Sequence, residues 1–274
     1  MDVPSADEAV RGAEQAAEAI TDSRPYRWLV RGGLIAFGIV HLLVAYLAGR
    51  LALGQPAEDA SQTGAMRELA SAPGGMILLV AVAVGLAAIA VWQFLFAVLE
   101  RSSTDREMWR NRAVGLGRGI TYVALALAAA RAAVLPGADD GDAPQSFTAA
   151  LMDMPLGRFL VGAVGIGILA VGIANVAKGI RGTYEKDLEG SLTGAGRWLA
   201  IVGHVAKGVG IGIVGLLFVW ATWTYNADEA GGLDAALEAL RGAPFGTVLL
   251  LVTAAGLAAY GLYCFFWARR PRFR

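Results

Sequence analysis

Six long apolar segments constrain this chain more than any other feature of its sequence. They cover roughly residues 28–53, 74–99, 113–135, 156–180, 197–224 and 245–268. About 20 apolar residues in helical form can cross a bilayer, and lipid offers the backbone no hydrogen-bond partners, so each segment is expected to be a helix. Apolar residues make up 56% of the 274 residues, more than one soluble core would bury. The sequence predicts an all-α integral membrane protein with six transmembrane helices.

Basic residues are concentrated in alternate connections between the segments. Sixteen Lys and Arg lie in the N-terminal segment, the second and fourth connections and the C-terminal tail, and five lie in the other connections. The positive-inside rule then places both termini in the cytoplasm of a multi-pass protein of the cell membrane, with the lipid bilayer around it. The 23 basic and 23 acidic residues of the whole chain cancel, so net charge gives no indication of nucleic-acid binding.

One two-helix unit recurs three times along the chain. The second, fourth and sixth segments open with Pro-x-Gly at 73–75, 155–157 and 244–246, and another glycine follows ten residues after each motif. Every unit enters the membrane from the cytoplasm and returns to it, so the three hairpins share one orientation about the membrane normal. The sequence therefore predicts three tandem two-helix repeats in a closed, pseudo-threefold bundle.

The repeat pattern divides the chain into five parts. We expect a cytoplasmic N-terminal segment at 1–26, amphipathic or disordered, then repeats at 27–106, 107–190 and 191–270, and a basic cytoplasmic tail at 271–274. Apolar residues at helical spacing also predict short amphipathic helices in the outer loops. These lie at 62–72, 145–153 and 232–242.

Glycines at equivalent positions of the repeats predict close contacts between helices. Pairs five residues apart place small residues on two sides of one helix, which lets two neighbours approach. The glycines expected at packing positions are Gly38, Gly119, Gly208, Gly85, Gly167 and Gly256. Val114 and Ala90 stand where the other repeats have glycine, so looser contacts are expected there.

Two motifs give the chain a resemblance to a known family. One is Arg118-Gly119-Ile120-Thr121-Tyr122, and the other is Gly256-Leu257-Ala258-Ala259-Tyr260-Gly261 after a Pro-x-Gly opening. Together they resemble the bacterial membrane family catalogued as domain of unknown function 1206, over about residues 27–270. The resemblance implies a three-repeat, six-span protein of the plasma membrane, and it implies no activity.

Two cations inside the predicted spans are the first candidates for a binding site. Arg118 and Lys207 occupy equivalent positions of repeats two and three, where repeat one has Phe37, and no Asp or Glu lies within any span. If the two converge, together with His204 near Lys207, they would favour an anion or a lipid headgroup. The alternative is that both side chains extend to the cytoplasmic headgroups.

Four further residues are expected to make polar contacts inside the membrane: His41, Tyr122, Gln93 and Asn175. His41 is expected to be neutral and hydrogen-bonded, and the two amides are expected to bond across helices, for example to Arg118 or Lys207. His41 and His204 differ in depth along their spans, which argues against a shared haem. The chain has one cysteine and no cluster of His, Cys, Asp and Glu at metal-ligand spacing. The sequence therefore predicts no metal site and no cofactor.

The spans offer no paired carboxylates for acid–base catalysis, so we expect no enzyme activity. The first hypothesis is a non-enzymatic structural or interaction protein of the cell envelope, acting with a membrane-protein partner. The alternative is a small channel or carrier for an anionic or lipid-like solute that uses Arg118 and Lys207.

Overall fold

The computed structural model describes residues 24–55, 62–71, 73–99, 104–135 and 143–272. In those ranges the secondary structure is helical, without strands, and one isolated β-bridge joins Leu188 to Pro271. Of the amphipathic or disordered segment predicted at 1–26, residues 1–23 lie outside the described residues, and a helix begins at Arg24.

Six helices are long and apolar enough to cross a membrane, which confirms the six predicted segments at that level. They are α1 (Arg24–Ala52), α3 (Gly75–Leu99), α4 (Asp105–Val134), α6 (Gly157–Arg181), α7 (Gly194–Thr224) and α9 (Gly246–Arg269). Three short helices precede α3, α6 and α9. They are α2 (Gln62–Ser71), α5 (Ala143–Met152) and α8 (Leu233–Gly242). Single 3₁₀ turns at Thr183–Asp187 and Ala227–Glu229 flank α7.

The closest helix pairs join neighbouring repeats. The second long helix of one repeat packs along the first long helix of the next, giving the pairs α3–α4 and α6–α7, and α9 closes back on α1 in the same way. Contacts within a repeat are weaker, with α7 against α9 in repeat three and α1 against α3 in repeat one. The long helices therefore follow the spatial order α4, α3, α1, α9, α7, α6.

Glycines form the closest helix contacts in two of these inter-repeat interfaces. A Cβ atom at Gly208 of α7 would lie 2.7 Å from the Gly172 carbonyl oxygen of α6. One at Gly38 of α1 would lie 2.8 Å from the Gly261 carbonyl oxygen of α9. Because these neighbours are backbone atoms, no side-chain rotation would make room, and the helices are in direct backbone contact.

The α3–α4 interface differs in a way that follows from the sequence. Ala90 stands in α3 where the other repeats have glycine, and a Cβ atom at Gly119 of α4 would meet the Phe94 ring at 2.8 Å. The close approach is therefore between a helix backbone and a ring. Gly85 lies beside Gly33 within repeat one, and Gly256 contacts Ala206 within repeat three.

The bundle is open between the two long helices of repeat two. Helices α4 and α6 do not pack against each other as the corresponding helices of the other repeats do. Val114 of α4 is 48% exposed, and a Cβ atom at Gly167 of α6 would meet no described residue within 4 Å. In the described part of the chain Gly167 thus makes no close helix contact, and α4 carries the branched Val114 where the other repeats have glycine.

The main apolar core lies where the short helices meet the long ones. Val44 of α1, Leu79 of α3 and Leu250 of α9 are buried there with Met66 of α2 and Leu237 of α8. The short helices α2 and α8 therefore contribute to the same core as the spans that they precede.

Each Pro-x-Gly motif forms a tight entry into a long helix. The middle residue has a left-handed backbone, with φ of 77° at Gly74, 64° at Leu156 and 62° at Phe245. A Cβ atom on the final glycine would overlap a carbonyl oxygen of the preceding short helix, that of Leu69, Leu151 or Arg241. The last glycine is therefore required by the turn itself.

Candidate polar site between repeats one and three

A cluster of aromatic and basic side chains lies where α1, α7 and α9 meet the 3₁₀ turn before α7. We call it the polar–aromatic cluster, and it consists of Phe37, His41, Tyr184, His204, Lys207, Tyr260 and Tyr263. Tyr260 is central, because it contacts residues of α1 and α7 as well as Tyr263 on its own helix.

Lys207 is held within this cluster by one hydrogen bond and two rings. Its Nζ donates to the Tyr260 hydroxyl at 3.1 Å and lies 4.2 Å from the centre of that ring. The Phe37 ring centre is 4.7 Å away on the α1 side. Phe37 and Lys207 hold equivalent positions of repeats one and three, so two of the three equivalent positions do come together. The ammonium is stabilised by ring faces and a hydroxyl.

The two histidines share the same tautomer. Nδ1 of His41 donates to the Phe37 carbonyl and Nδ1 of His204 to the Ala200 carbonyl, both at 2.8 Å. A carbonyl only accepts, so the proton of each neutral ring is on Nδ1 and the lone pair is on Nε2. Both rings are buried, at 3% and 2% exposure.

The histidines are also closer than their depths along the spans suggested. Both rings pack against Tyr260, with ring centres 4.8 Å away for His41 and 5.2 Å for His204. Over the described ranges, no group of three or more His, Cys, Asp and Glu could hold a metal ion.

Sequence reasoning missed the tyrosines of the cluster. Tyr184 stacks on His204 with centres 5.6 Å apart, and it meets Tyr263 edge-on at 6.0 Å. Burial is the main cause that raises the pKa of the Tyr184 phenol, and a hydrogen bond with Arg197 opposes it. Among the residues that the structure describes, the buried Tyr263 hydroxyl has no hydrogen-bond partner. The sequence feature that could have indicated them is the three-residue spacing of Tyr260 and Tyr263, which puts both side chains on one face of α9.

The connection between repeats two and three is tied to the C-terminal end of the chain. The Asp187 carboxylate is 2.5 Å from Lys178 Nζ. The main-chain carbonyl of Asp187 accepts hydrogen bonds from Trp267 Nε1 and from the Arg272 amide, both at 3.0 Å. The Glu189 amide donates to the Arg270 carbonyl at 2.8 Å. These bonds close the cluster at the end of the bundle where α6 and α9 end.

Within the described ranges, the other predicted site residues form no hydrogen bond or ring contact with the cluster, although Tyr122 is close enough to interact electrostatically with Tyr260. Arg118 is exposed on α4, and none of the polar contacts in the described ranges joins it to Lys207. Asn175 Nδ2 donates to the Val171 carbonyl of its own helix at 2.9 Å. Tyr122 is half-buried against the main core, and Gln93 lies on α3 with its main chain beside Gly115.

The fold is that of a multi-pass helical membrane protein built from repeats. Comparison with known proteins identifies the family. The chain belongs to the family described as Domain of Unknown Function (DUF1206), whose model matches residues 32–100, 114–182 and 202–270. The three matches correspond to the three repeats, which confirms the resemblance stated above.

A named relative gives no further indication of activity. The chain is 30% identical over 247 residues to "Uncharacterized protein YxxB" of Bacillus subtilis (strain 168). The alignment covers 85% of this chain and 86% of that protein. No solved structure matches the chain.

Proposed function

We propose that this chain is a non-enzymatic structural or interaction protein of the cell membrane. The observation that carries the proposal is the internal use of Lys207. Its ammonium is engaged by the Tyr260 hydroxyl and by two ring faces contributed by different repeats. A cation that selects a solute has to exchange its contacts for those of the solute. Lys207 instead joins α1, α7 and α9, which is the role of a structural contact.

The proposed arrangement has six spans as three like-oriented hairpins, with both termini cytoplasmic. The repeated pairing of each repeat with the next supports pseudo-threefold symmetry, with an opening at repeat two. The short helices α2, α5 and α8 would then lie in the outer interface. Reporter fusions at residues 1 and 274 test the orientation, and a terminus outside the cytoplasm would contradict it.

The alternative of a channel or carrier requires Arg118 and Lys207 to act on one solute path. The structure favours it less, because Arg118 is exposed on α4 and Lys207 belongs to the cluster on α7 and α9. No separate observation supports transport, so it serves as the competing outcome of the test.

Reconstitution in liposomes separates the two functions. We expect uptake of labelled phosphate or chloride to equal that of protein-free liposomes, both for the wild type and for Lys207→Met. In the native host, both forms should rescue the envelope defects of a deletion strain equally. Uptake by the wild type that Lys207→Met abolishes, in protein that remains folded, would contradict the proposal and support the carrier.

A further inference from the structure

We propose that the groove between the beginning of α1 and the end of α9 binds the headgroup of an anionic phospholipid. A cavity of about 430 Å³ lies there, lined by Trp28, Arg31, Ile35, Phe265, Ala268 and Arg269. It is separate from the polar–aromatic cluster. The inference depends on the six-span fold and holds for either function discussed above.

The cavity combines two guanidinium groups with an apolar wall. Trp28, Arg31 and Ile35 follow one another at helical spacing on one face of α1, and Phe265 and Arg269 do so on α9. The arginines lie nearer the helix ends than Ile35 and Phe265 do, so charge is at the membrane boundary and apolar surface is deeper. That order matches a phospholipid, with its phosphate toward the arginines and an acyl chain along Ile35 and Phe265.

The two arginines have guanidinium donors that are available to a ligand. Within the described ranges Arg31 Nε is buried without a hydrogen-bond partner, and Arg31 as a whole is half-buried. In the described part of the chain, neither Arg31 nor Arg269 forms an ion pair with a carboxylate. Without a carboxylate partner there, each guanidinium has N–H donors left for a phosphate oxygen of matching charge.

The end of α9 is held in place, which keeps the groove open. The Arg270 carbonyl accepts from the Glu189 amide, and the Arg272 amide donates to the Asp187 carbonyl. These bonds fix the chain directly after Arg269, so the groove is formed before a lipid arrives. A preformed site loses less entropy on binding than one that must be ordered.

The test is native mass spectrometry of the full chain in detergent, titrated with palmitoyl-oleoyl phosphatidylglycerol or phosphatidylcholine. We expect preferential retention of phosphatidylglycerol. Each basic residue near an anionic lipid contributes about fivefold in affinity, so Arg31→Gln with Arg269→Gln should weaken phosphatidylglycerol binding about 25-fold and leave phosphatidylcholine unchanged. The matched control, Arg106→Gln with Arg181→Gln, removes the same charge from α4 and α6 and should leave both affinities unchanged.

Three results would overturn the proposal. Equal weakening by both double variants would mean diffuse attraction to the basic end of the bundle. Displacement of the lipid by inorganic phosphate at the same concentration would mean that the groove takes a free anion. The acidic N-terminal segment is the third competitor, with six carboxylates in residues 1–22. Phosphatidylglycerol binding that emerges only after those six are changed to amides would mean that the segment occupies the groove.

Discussion

Lys207 and Tyr260 are 53 residues apart in the sequence, and the Lys207 ammonium donates a 3.1 Å hydrogen bond to the Tyr260 hydroxyl. This contact joins α7 to α9, and the Phe37 ring extends it to α1. Since hydrogen bonds to charged groups contribute about 1.5–3 kcal/mol, the pair should contribute measurably to the free energy of unfolding.

The first prediction is a coupling between these two side chains. Tyr260→Phe should lower the free energy of unfolding by about 1–3 kcal/mol, because the ammonium loses its acceptor. In a Lys207→Met background the same change should cost less, because no ammonium remains. The free energy of unfolding of all four forms is measured by adding sodium dodecyl sulphate to the protein in mild detergent. Additive effects of the two substitutions would contradict a structural role for the pair.

A second prediction compares Gly208 and Gly167, both of which are expected from the sequence at helix-packing positions. At Gly208 a Cβ atom would lie 2.7 Å from the Gly172 carbonyl oxygen, whereas at Gly167 it would meet none of the described residues within 4 Å. Gly208→Ala should therefore cost about 1–3 kcal/mol from overpacking. Gly167→Ala should stabilise by about 0.5–1 kcal/mol, because alanine is the better helix former.

The same denaturant titration distinguishes the two variants, and Gly167→Ala serves as the control for helix propensity. Equal losses for both would mean that α4 and α6 are in contact after all. A neutral result at Gly208 would mean that α6 and α7 lie farther apart than the structure has them.

The architecture was readable from the sequence because its causes are local. Apolar length determines which segments can cross a membrane, and the three Pro-x-Gly motifs mark where second helices begin. Val114 and Ala90 also marked two interfaces that depart from the glycine pattern. Those features depend on one segment at a time, so no knowledge of which helices meet was needed.

The site was not readable to the same degree because it depends on contacts between repeats. The equivalence of Phe37 and Lys207 was visible, but the sequence did not indicate that α9 would bring Tyr260 between α1 and α7. Tyr184 lies in a connection, and the bonds of Asp187 fold that connection onto the end of α9. Asn175 was predicted to bond across helices, and the bond that its Nδ2 donates in the structure is to the Val171 carbonyl of its own helix.

A third prediction concerns the left-handed residue in each Pro-x-Gly motif. Leu156 and Phe245 have φ of 64° and 62°, a conformation that costs a residue with a side chain about 1–2 kcal/mol, and repeat one has Gly74 there. Both side chains are exposed, at 76% and 84%, so little protein packing is lost on their removal. Leu156→Gly and Phe245→Gly should each raise the midpoint of thermal unfolding in detergent.

The reverse substitution is the control for that prediction. Gly74→Leu should lower the midpoint, because it introduces the strain that repeat one avoids. A fall for Leu156→Gly as large as that for Gly74→Leu would show that Leu156 is held by its surroundings, with no strain to relieve.

The last prediction uses the chain's single cysteine as a probe of the seam between α1 and α9. Cys264 is fully buried, and a Cβ atom at Gly38 would lie 3.1 Å from the Cβ of Cys264. A thiol reacts with maleimide only when it is accessible, so the folded protein should resist N-ethylmaleimide and label fully once unfolded in sodium dodecyl sulphate. Gly38→Ala should force the helices apart and speed labelling, whereas Gly167→Ala should not. Rapid labelling of folded wild-type protein, followed by mass spectrometry, would mean that repeats one and three do not close on each other through α1 and α9.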